Sequence, residues 1–132
     1  MEEKIAVATI GQQTYKTELV ARSHSVIADE PTEVGGQDLG PRPGDFLRMS
    51  LASCTAITLR MYANRKNFAV EKIQVSVSSK DVEGGTAFET DIKIFGTLDE
   101  AQRQRLLQIA KLCPVHKVLT NPIAIETNLS IA

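Results

Sequence analysis

The fold of this chain is decided by residues 41–63, which read PRPGDFLRMSLASCTAITLRMYA. Pro43 suits the first turn of a helix, and Asp45 places a carboxylate near the positive end of the helix dipole. Apolar residues recur at spacings of three and four from Phe46 to Met61, on more than one side of the segment. The pattern predicts one long central helix that is largely buried. Basic residues collect at its C-terminal end: Arg60, Arg65 and Lys66.

Three short strands are predicted before this helix. Ile5, Val7 and Thr9 alternate with Lys and Ala over residues 4–10, a second alternating run covers residues 15–22, and a third short strand fits residues 25–28. Residues 29–44 contain four Gly and three Pro and predict a long ordered loop. Loops of this length in a compact domain are usually functional or disordered.

An antiparallel pair of strands is predicted after the helix. Residues 70–78 and 88–96 each alternate in polarity, and the segment Glu83-Gly84-Gly85-Thr86 between them predicts the turn. By that alternation Val70 and Ile73 fall on opposite faces of their strand.

The rest of the chain predicts two helices and a last strand. One helix begins near Asp99 and stops close to Cys113, because the residue before a proline is disfavoured in helical geometry. Pro114 then opens a short helix over residues 115–119, with Cys113 at its cap. Residues 123–131 alternate again and predict a final strand. The order β-β-β-α-β-β-α-α-β indicates an α+β fold with mostly antiparallel strands.

Composition excludes several classes of protein. The chain fits a single domain, residues 1–132, and its 42% apolar and 23% charged residues are close to the globular average. A formal charge of −1 argues against a non-specific nucleic-acid binder, and the longest uncharged stretch in the middle of the chain, residues 49–59, is about half a membrane span. The acidic start before a short apolar run is unlike a secretory signal. We therefore expect a cytoplasmic protein that binds neither nucleic acid nor membrane and keeps its thiols reduced.

The two cysteines lie in different settings. Cys54 lies on the apolar stripe of the long helix, where the ordinary interpretation is a small core residue. Cys113 precedes Pro114 and so lies at a helix N-terminus, where unpaired backbone N–H groups and the helix dipole stabilise a thiolate. His116 follows within one turn and would favour the Cys113 thiolate further when protonated.

A zinc site is an alternative use of these residues. Cys113 and His116 form a C-x-x-H pair, and Cys54 with His24 would complete four ligands. Structural zinc sites usually bring two closely spaced pairs, whereas Cys54 and His24 are far apart in sequence and on different elements. A Cys–His dyad of protease type is a further alternative, although the sequence does not identify its orienting third member.

Four runs of sequence together resemble one known family. Residues 40–47 (GPRPGDFL) and 50–63 (SLASCTAITLRMYA) resemble the OsmC/Ohr family of osmotically induced and organic hydroperoxide resistance proteins, in its OsmC-like subgroup. Residues 29–31 (DEP) with Gly35-Gly36, and residues 113–117 (CPVHK), resemble the same family in order and separation. The resemblance covers nearly the whole chain.

This resemblance implies a thiol-dependent peroxidase that needs neither a cofactor nor a metal. Cys54 would attack a peroxide oxygen as thiolate and become a sulfenic acid, and Cys113 would condense with it to an intramolecular disulfide. A dithiol, such as a lipoyl group on a carrier protein, is the reductant typical of relatives. The apolar residues around Cys54 would favour organic hydroperoxides, alkyl or fatty-acid, over hydrogen peroxide.

The resemblance also points to activating residues, and here the chain departs from the family. Peroxidase relatives carry an Arg from the N-terminal region and a Glu ten positions before the helix cysteine, where this chain has Gly44. Asp45 is the nearest acid and is either the replacement or a charge at the helix start. Arg22 is the first candidate for the activating arginine; the others are Arg42 and Arg48.

Relatives form interwoven homodimers, which implies the same assembly here. Burial of the long helices between the two sheets of such a dimer would explain a helix that is apolar on most sides. Because the family Glu is absent, two other functions stay open. One is a redox-sensing or ligand-binding protein of the same fold with little turnover, and the other is a zinc-binding module.

Overall fold

The computed structural model describes residues 4–132, which form two compact units. The first unit ends at Leu47 and the second begins at Arg48, within one helix. The expected α+β architecture with antiparallel strands is confirmed. In chain order the elements are β1 (Val7–Ile10), β2 (Thr17–Ala21), β3 (His24–Ala28), a short 3-10 turn (Thr32–Val34), α1 (Pro43–Arg65), β4 (Ala69–Val82), β5 (Gly85–Thr97), α2 (Glu100–Ala110) and α3 (Pro114–Thr120).

The first unit contains a three-stranded antiparallel sheet in the order β1-β2-β3. Thr17 of β2 faces Ile10 of β1 on one side and Ala28 of β3 on the other, so β2 is the central strand. A two-residue turn joins β2 to β3, and in it Arg22 has a left-handed φ of 55°. The three strands predicted here are confirmed, with bounds that differ by a few residues.

A buried carboxylate, that of Asp29, organises the loop that follows β3. It accepts hydrogen bonds of 2.7–3.1 Å from three backbone N–H groups. Burial acts to raise the pKa of the Asp29 carboxyl, but the backbone donors outweigh burial and hold the pKa below its ordinary value. The predicted loop is therefore ordered around one charged side chain. The three donors belong to Tyr15, Glu30 and Leu39.

Two glycines let the same loop pack tightly on the backbone. A Cβ at Gly36 would collide with the carbonyl of Glu30, and a Cβ at Gly40 would collide with the carbonyl of Ile27. The carbonyl of Glu30 also accepts the backbone N–H of Asp38 at 3.0 Å. Only a residue without a Cβ allows these approaches.

The second unit is built on a long antiparallel hairpin of β4 and β5. Its register runs from Val82 opposite Gly85, next to a two-residue turn, to Ala69 opposite Thr97. Both strands extend beyond their predicted bounds because the turn is shorter than the four-residue segment that the sequence indicated.

A β-bulge at Glu71 changes which side chains of β4 face the core. Val70 lies opposite Gly96, whereas Lys72 lies opposite Phe95, so Glu71 is the extra residue. The bulge shifts the alternation, and Val70 and Ile73 both pack against the core. The prediction that these two residues lie on opposite faces is therefore wrong.

Arg60 of α1 holds this bulge. Its guanidinium donates from Nη1 to the Val70 carbonyl at 2.9 Å and from Nη2 to the Glu71 carbonyl at 3.2 Å. These two carbonyls lie where the ladder is disrupted, so Arg60 supplies hydrogen bonds at the break and ties α1 to β4.

α1 buries one stripe rather than its whole circumference. The long helix is confirmed, but the expectation that it is largely buried is wrong for the single chain: Ile57 is 54% exposed and Met61 is 68% exposed. One hairpin and one helix pack on a single side of α1, which leaves its other apolar residues uncovered. No helix within residues 4–132 is long and apolar enough to cross a membrane. The buried stripe consists of Leu51, Thr55, Leu59, Tyr62 and Ala63.

The two short helices begin as the sequence predicts. Asp99 caps α2 and forms a reciprocal capping box with Gln102. Cys113 is the N-cap of α3, and Pro114 occupies its first turn. α2 itself ends at Ala110, slightly before the predicted stop.

Residues 121–132 form no regular element, so the predicted last strand over residues 123–131 is wrong. Ile125 is 86% exposed, Leu129 is 89% exposed and Ile131 is 90% exposed. A strand needs a hydrogen-bonded neighbour, and no strand within residues 4–132 pairs with this segment. Residues 123–131 therefore alternate in sequence but lack the paired strand that would make them a β-strand.

Candidate functional site

Two free thiols, Cys54 and Cys113, meet in the second unit. Cys54 lies in the middle of α1, next in sequence to the buried Thr55, and Cys113 is the residue directly before α3. The two thiols are close enough to interact by a hydrogen bond and by charge. The structure thus brings together the two cysteines that the sequence singled out.

The Cys113 sulfur is fully buried and accepts two hydrogen bonds. The backbone N–H of His116 donates to it at 3.3 Å, and Thr55 Oγ1 donates to it at 3.8 Å. The first contact belongs to the helix cap that the sequence predicts. The second comes from α1, so one helix contributes both the neighbouring thiol and a hydroxyl group to Cys113.

The Cys54 thiol is partly exposed. Burial is nevertheless the largest influence and raises the pKa of the Cys54 thiol, and the neighbouring Cys113 raises it further. The backbone N–H of Val115 and the side chain of Thr58 donate toward the sulfur and act to lower the pKa. The net result is a pKa above the ordinary value for a thiol.

This arrangement can support two-step thiol chemistry. The partly exposed sulfur of Cys54 is the one that a peroxide can reach, whereas the sulfur of Cys113 is shielded. A sulfenic acid formed on Cys54 would lie against a second thiol, with which it can condense to a disulfide. The two sulfurs therefore differ in access while they lie in contact with each other.

The zinc alternative finds no geometric support. Within residues 4–132, no group of three or more His, Cys, Asp or Glu side chains is placed to hold a metal ion. The four ligands considered were Cys54, Cys113, His116 and His24.

The three candidate arginines lie in different places. Arg22 is exposed in the turn between β2 and β3 of the first unit. Arg42 donates from Nε to Glu30 Oε1 at 3.2 Å in the same unit. Arg48, on α1 in the second unit, donates from Nη1 to Ser79 Oγ at 2.9 Å. The choice of an activating arginine stays a prediction.

Asp45 lies in the first turn of α1, where its carboxylate accepts the backbone N–H of Arg42 at 3.0 Å. This is the contact of a capping carboxylate at a helix start. It agrees with one of the two sequence interpretations of Asp45. Whether the same carboxylate orients an arginine stays a prediction.

Sequence reasoning missed the groups that surround the two sulfurs. Thr55 directly follows Cys54 in sequence, yet its hydroxyl group is directed to Cys113. Val115 contributes a backbone N–H, which no side-chain pattern reports. A polar Thr on the apolar stripe of α1 was the available signal for the first of these.

Comparison with known proteins gives one family. A family model described as OsmC-like protein matches residues 35–128. A comparison with curated proteins gives no significant match.

Several solved structures share the fold. An OsmC-like protein from Mycoplasma pneumoniae has a TM-score of 0.73 and 17% identity, over 89% of this chain and 87% of that one. An organic hydroperoxide resistance protein OsmC from Legionella pneumophila has a TM-score of 0.62 and 21% identity, over 91% and 90%. The organic hydroperoxide resistance protein OhrB of Bacillus subtilis has a TM-score of 0.59 and 20% identity, over 90% and 91%. At these identities the likeness establishes the fold.

Proposed function

The chain belongs to the family of OsmC-like proteins, and on that premise we propose that it is a thiol-dependent peroxidase that reduces organic hydroperoxides. The observation that carries the proposal is the contact between the free thiols of Cys54 and Cys113. Structures of the same fold include proteins called organic hydroperoxide resistance proteins, which supports a peroxide-related redox role.

In the first step the Cys54 thiolate attacks the terminal oxygen of the hydroperoxide. The O–O bond breaks, the alcohol leaves after taking a proton, and Cys54 becomes a sulfenic acid. In the second step the Cys113 thiolate attacks the Cys54 sulfur, an S–S bond forms, and the hydroxyl group leaves as water after protonation. The hydrogen bonds from Thr55 Oγ1 and from the His116 backbone N–H hold the Cys113 sulfur in place for this step.

A dithiol must then reduce the disulfide to complete the cycle. We assign this role to a dithiol such as a lipoyl group on a carrier protein, because a dithiol can close its own disulfide after the first exchange. The cycle requires both thiols to be reduced at rest, which agrees with a cytoplasmic location. No cofactor or metal takes part in the proposed steps.

Arg22 is our proposed activating residue, and Asp45 is our proposed partner for it. A guanidinium near Cys54 would oppose the effect of burial on the pKa of that thiol and would polarise the peroxide. A carboxylate can hold such a guanidinium in a bidentate pair. Arg42 and Arg48 are the alternatives if Arg22 has no effect.

We also propose that the protein acts as a homodimer. The exposed apolar residues Ile57 and Met61 on α1, together with Ile125 and Leu129 in the C-terminal segment, are the surface that a second copy would cover. A second copy would also offer strand edges to the unpaired alternating segment. Sedimentation equilibrium is expected to give the mass of two chains, and a monomer at micromolar concentration would contradict this proposal.

The test of the proposed function is the product of one oxidation. Reduced protein is treated with one equivalent of an alkyl hydroperoxide, and peptides are mapped by mass spectrometry without reduction. We expect a Cys54–Cys113 disulfide in the chain. Overoxidised Cys54 with Cys113 still free would contradict the proposal. Stopped-flow comparison with hydrogen peroxide then tests the preference for organic substrates.

A specific observation favours one second candidate, a redox sensor with little turnover. The raised pKa of Cys54 leaves less thiolate at neutral pH than an ordinary cysteine has, and Gly44 stands where peroxidase relatives carry Glu. A sensor would form the same disulfide but would fail to turn over when a dithiol and peroxide are supplied together. Steady-state turnover therefore separates the two functions.

A further inference from the structure

Three cations surround the ring of Tyr62 near the C-terminal end of α1. The guanidinium carbon of Arg65 lies 5.4 Å from the ring centroid, that of Arg105 lies 5.5 Å away, and the Lys66 Nζ lies 6.0 Å away. The three residues are exposed, whereas Tyr62 is only 6% exposed. We call Arg65, Lys66 and Arg105 the basic patch.

The ring beneath the basic patch, that of Tyr62, is held by the core of the second unit. Tyr62 packs edge-on against Phe68, with ring centroids 5.8 Å apart, and belongs to the core of the second unit. Arg105 donates from Nε to the Tyr62 hydroxyl oxygen at 2.9 Å, and its Nη1 donates to Gln108 at 3.0 Å. The position of the Arg105 charge is therefore set by buried structure, and the charges of Arg65 and Lys66 lie over the same ring.

The basic patch has no carboxylate partner among the residues that the structure describes. Within residues 4–132, none of its three cations lies within ion-pair distance of a carboxylate, whereas Arg42 pairs with Glu30 and Arg103 pairs with Glu100. Cation–π contact offsets part of the mutual repulsion. A concentrated positive patch on a chain of net charge −1 is typical of a surface that attracts an anionic partner.

The ring beneath the basic patch lies on the same helix as Cys54, within reach of a side-chain arm from a bound partner. Tyr62 follows Cys54 by eight residues on α1, which is about 12 Å along the helix axis. In the proposed disulfide, Cys113 is buried, so a reductant reaches only the Cys54 sulfur. A slender dithiol group on an arm can reach such a sulfur while its carrier rests on the surface at the basic patch.

We infer that the basic patch is a docking surface for an acidic protein domain that delivers a dithiol on a flexible arm; this inference rests on the proposed peroxidase cycle. The donor thiolate attacks the Cys54 sulfur, the Cys54–Cys113 bond breaks, and Cys113 leaves as a thiolate. The second donor thiol then closes the donor disulfide and releases Cys54 as a thiolate. The electrons pass from the donor dithiol to the two cysteines.

The experiment compares two donors that carry the same dithiol. One is a purified lipoyl domain with net negative charge, and the other is free dihydrolipoamide, which has no net charge. The test variant is Lys66→Glu. The matched control is Lys80→Glu, an exposed residue on β4 about 35 Å along the strand from Ala69, which lies beside Phe68.

We expect Lys66→Glu to lower kcat/KM for the lipoyl domain at least tenfold at low salt, because electrostatic steering is lost and replaced by repulsion. The same variant should leave kcat/KM for dihydrolipoamide within about twofold, and Lys80→Glu should leave both donors within about twofold of the parent. Raising the salt concentration should slow the parent with the lipoyl domain and bring it close to the variant.

Unchanged reduction of Lys66→Glu by the lipoyl domain would overturn the inference, and so would equal losses with both donors. Equilibrium binding of the oxidised lipoyl domain, measured by calorimetry, tests docking without any turnover. Binding that is absent in the parent overturns the inference even if peroxidase activity is intact. Failure of dihydrolipoamide to reduce the parent disulfide instead counts against the proposed function, and the calorimetric result still decides docking.

Discussion

The middle of α1 around Cys54 and the start of α3 around Cys113 both present a thiol, but they treat it differently. Cys113 is buried and accepts hydrogen bonds from Thr55 and from the His116 backbone. Cys54 is partly exposed, and burial raises its pKa. Each sulfur has two hydrogen-bond donors, so the two sulfurs differ mainly in exposure. The difference teaches that access, rather than the number of hydrogen bonds to the sulfur, is what favours Cys54 as the attacking cysteine that we propose.

The largest expected effect comes from replacing each cysteine in turn by serine. Cys54→Ser should lower the rate of peroxide consumption by at least about a thousandfold, because the accessible nucleophile is lost. Cys113→Ser should keep the first oxidation, leaving a sulfenic acid, but lose turnover with a dithiol. Stopped-flow oxidation followed by trapping of the sulfenic acid measures both. Equal first-step rates in the two variants would break the comparison, since Cys113 would then react directly.

The next effect concerns the arginine that we propose as the activator of Cys54. If Arg22 activates this thiol, Arg22→Met should slow peroxide reduction by about a hundredfold and raise the pKa of Cys54 further. Asp45→Asn should give a smaller loss of the same kind. Thiolate absorbance followed against pH, together with the peroxide rate, measures both quantities.

Rates within about threefold of the parent for both variants would mean that Arg22 and Asp45 are surface charges. Arg42→Met and Arg48→Met would then be the next variants to measure. If all three arginines are silent, a sensing or binding role replaces the peroxidase.

The smallest expected effects come from removing one threonine hydroxyl group beside each sulfur. Thr55→Val keeps the shape of a buried residue and removes a hydrogen bond worth about 1 kcal/mol, so disulfide exchange that releases Cys113 should slow about fivefold. Thr58→Val removes a donor to Cys54 instead, and should raise the pKa of Cys54 slightly without changing the departure of Cys113. A fall in the pKa of Cys54 in Thr58→Val would contradict the assignment.

The sign of the pH dependence follows from the raised pKa of Cys54. The folded state favours the neutral thiol, so the thiol contributes stability at low pH and this contribution is lost as pH rises through the ordinary pKa of a cysteine toward the raised value. The thiolate needed for attack increases over the same range. The observed peroxide rate should therefore still be rising at pH 9 in the reduced protein.

Local rules predicted the parts of this molecule that depend on neighbours in sequence. Pro114 after Cys113 was enough to place the start of α3, and Asp99 was enough to place the start of α2. The contact of Thr55 with Cys113 could not be predicted, because it joins residues that only tertiary packing brings together.

Alternation in the sequence was a weaker guide than capping. It continued through Glu71, so the bulge that turns Val70 toward the core left no trace in the pattern. It also predicted a strand over residues 123–131, where pairing with another strand is what the single chain lacks. A period of two reports which residues can share a face, and hydrogen bonds decide whether the strand forms.

Gly36 and Gly40 have a consequence for how this chain tolerates mutation. Each glycine packs where a Cβ would strike a backbone carbonyl, and both carbonyls belong to residues within two positions of Asp29, the buried centre of the loop. A library of viable variants should therefore keep glycine at these two positions even when it is selected for folding alone, with peroxide chemistry removed by Cys54→Ser. The neighbouring exposed residue Leu39 should vary freely in side chain, because only its backbone is held. Glycine at positions 36 and 40 is thus required by the geometry of the loop and not by the chemistry of Cys54, so a chain that has lost the reactive thiol should still keep both glycines.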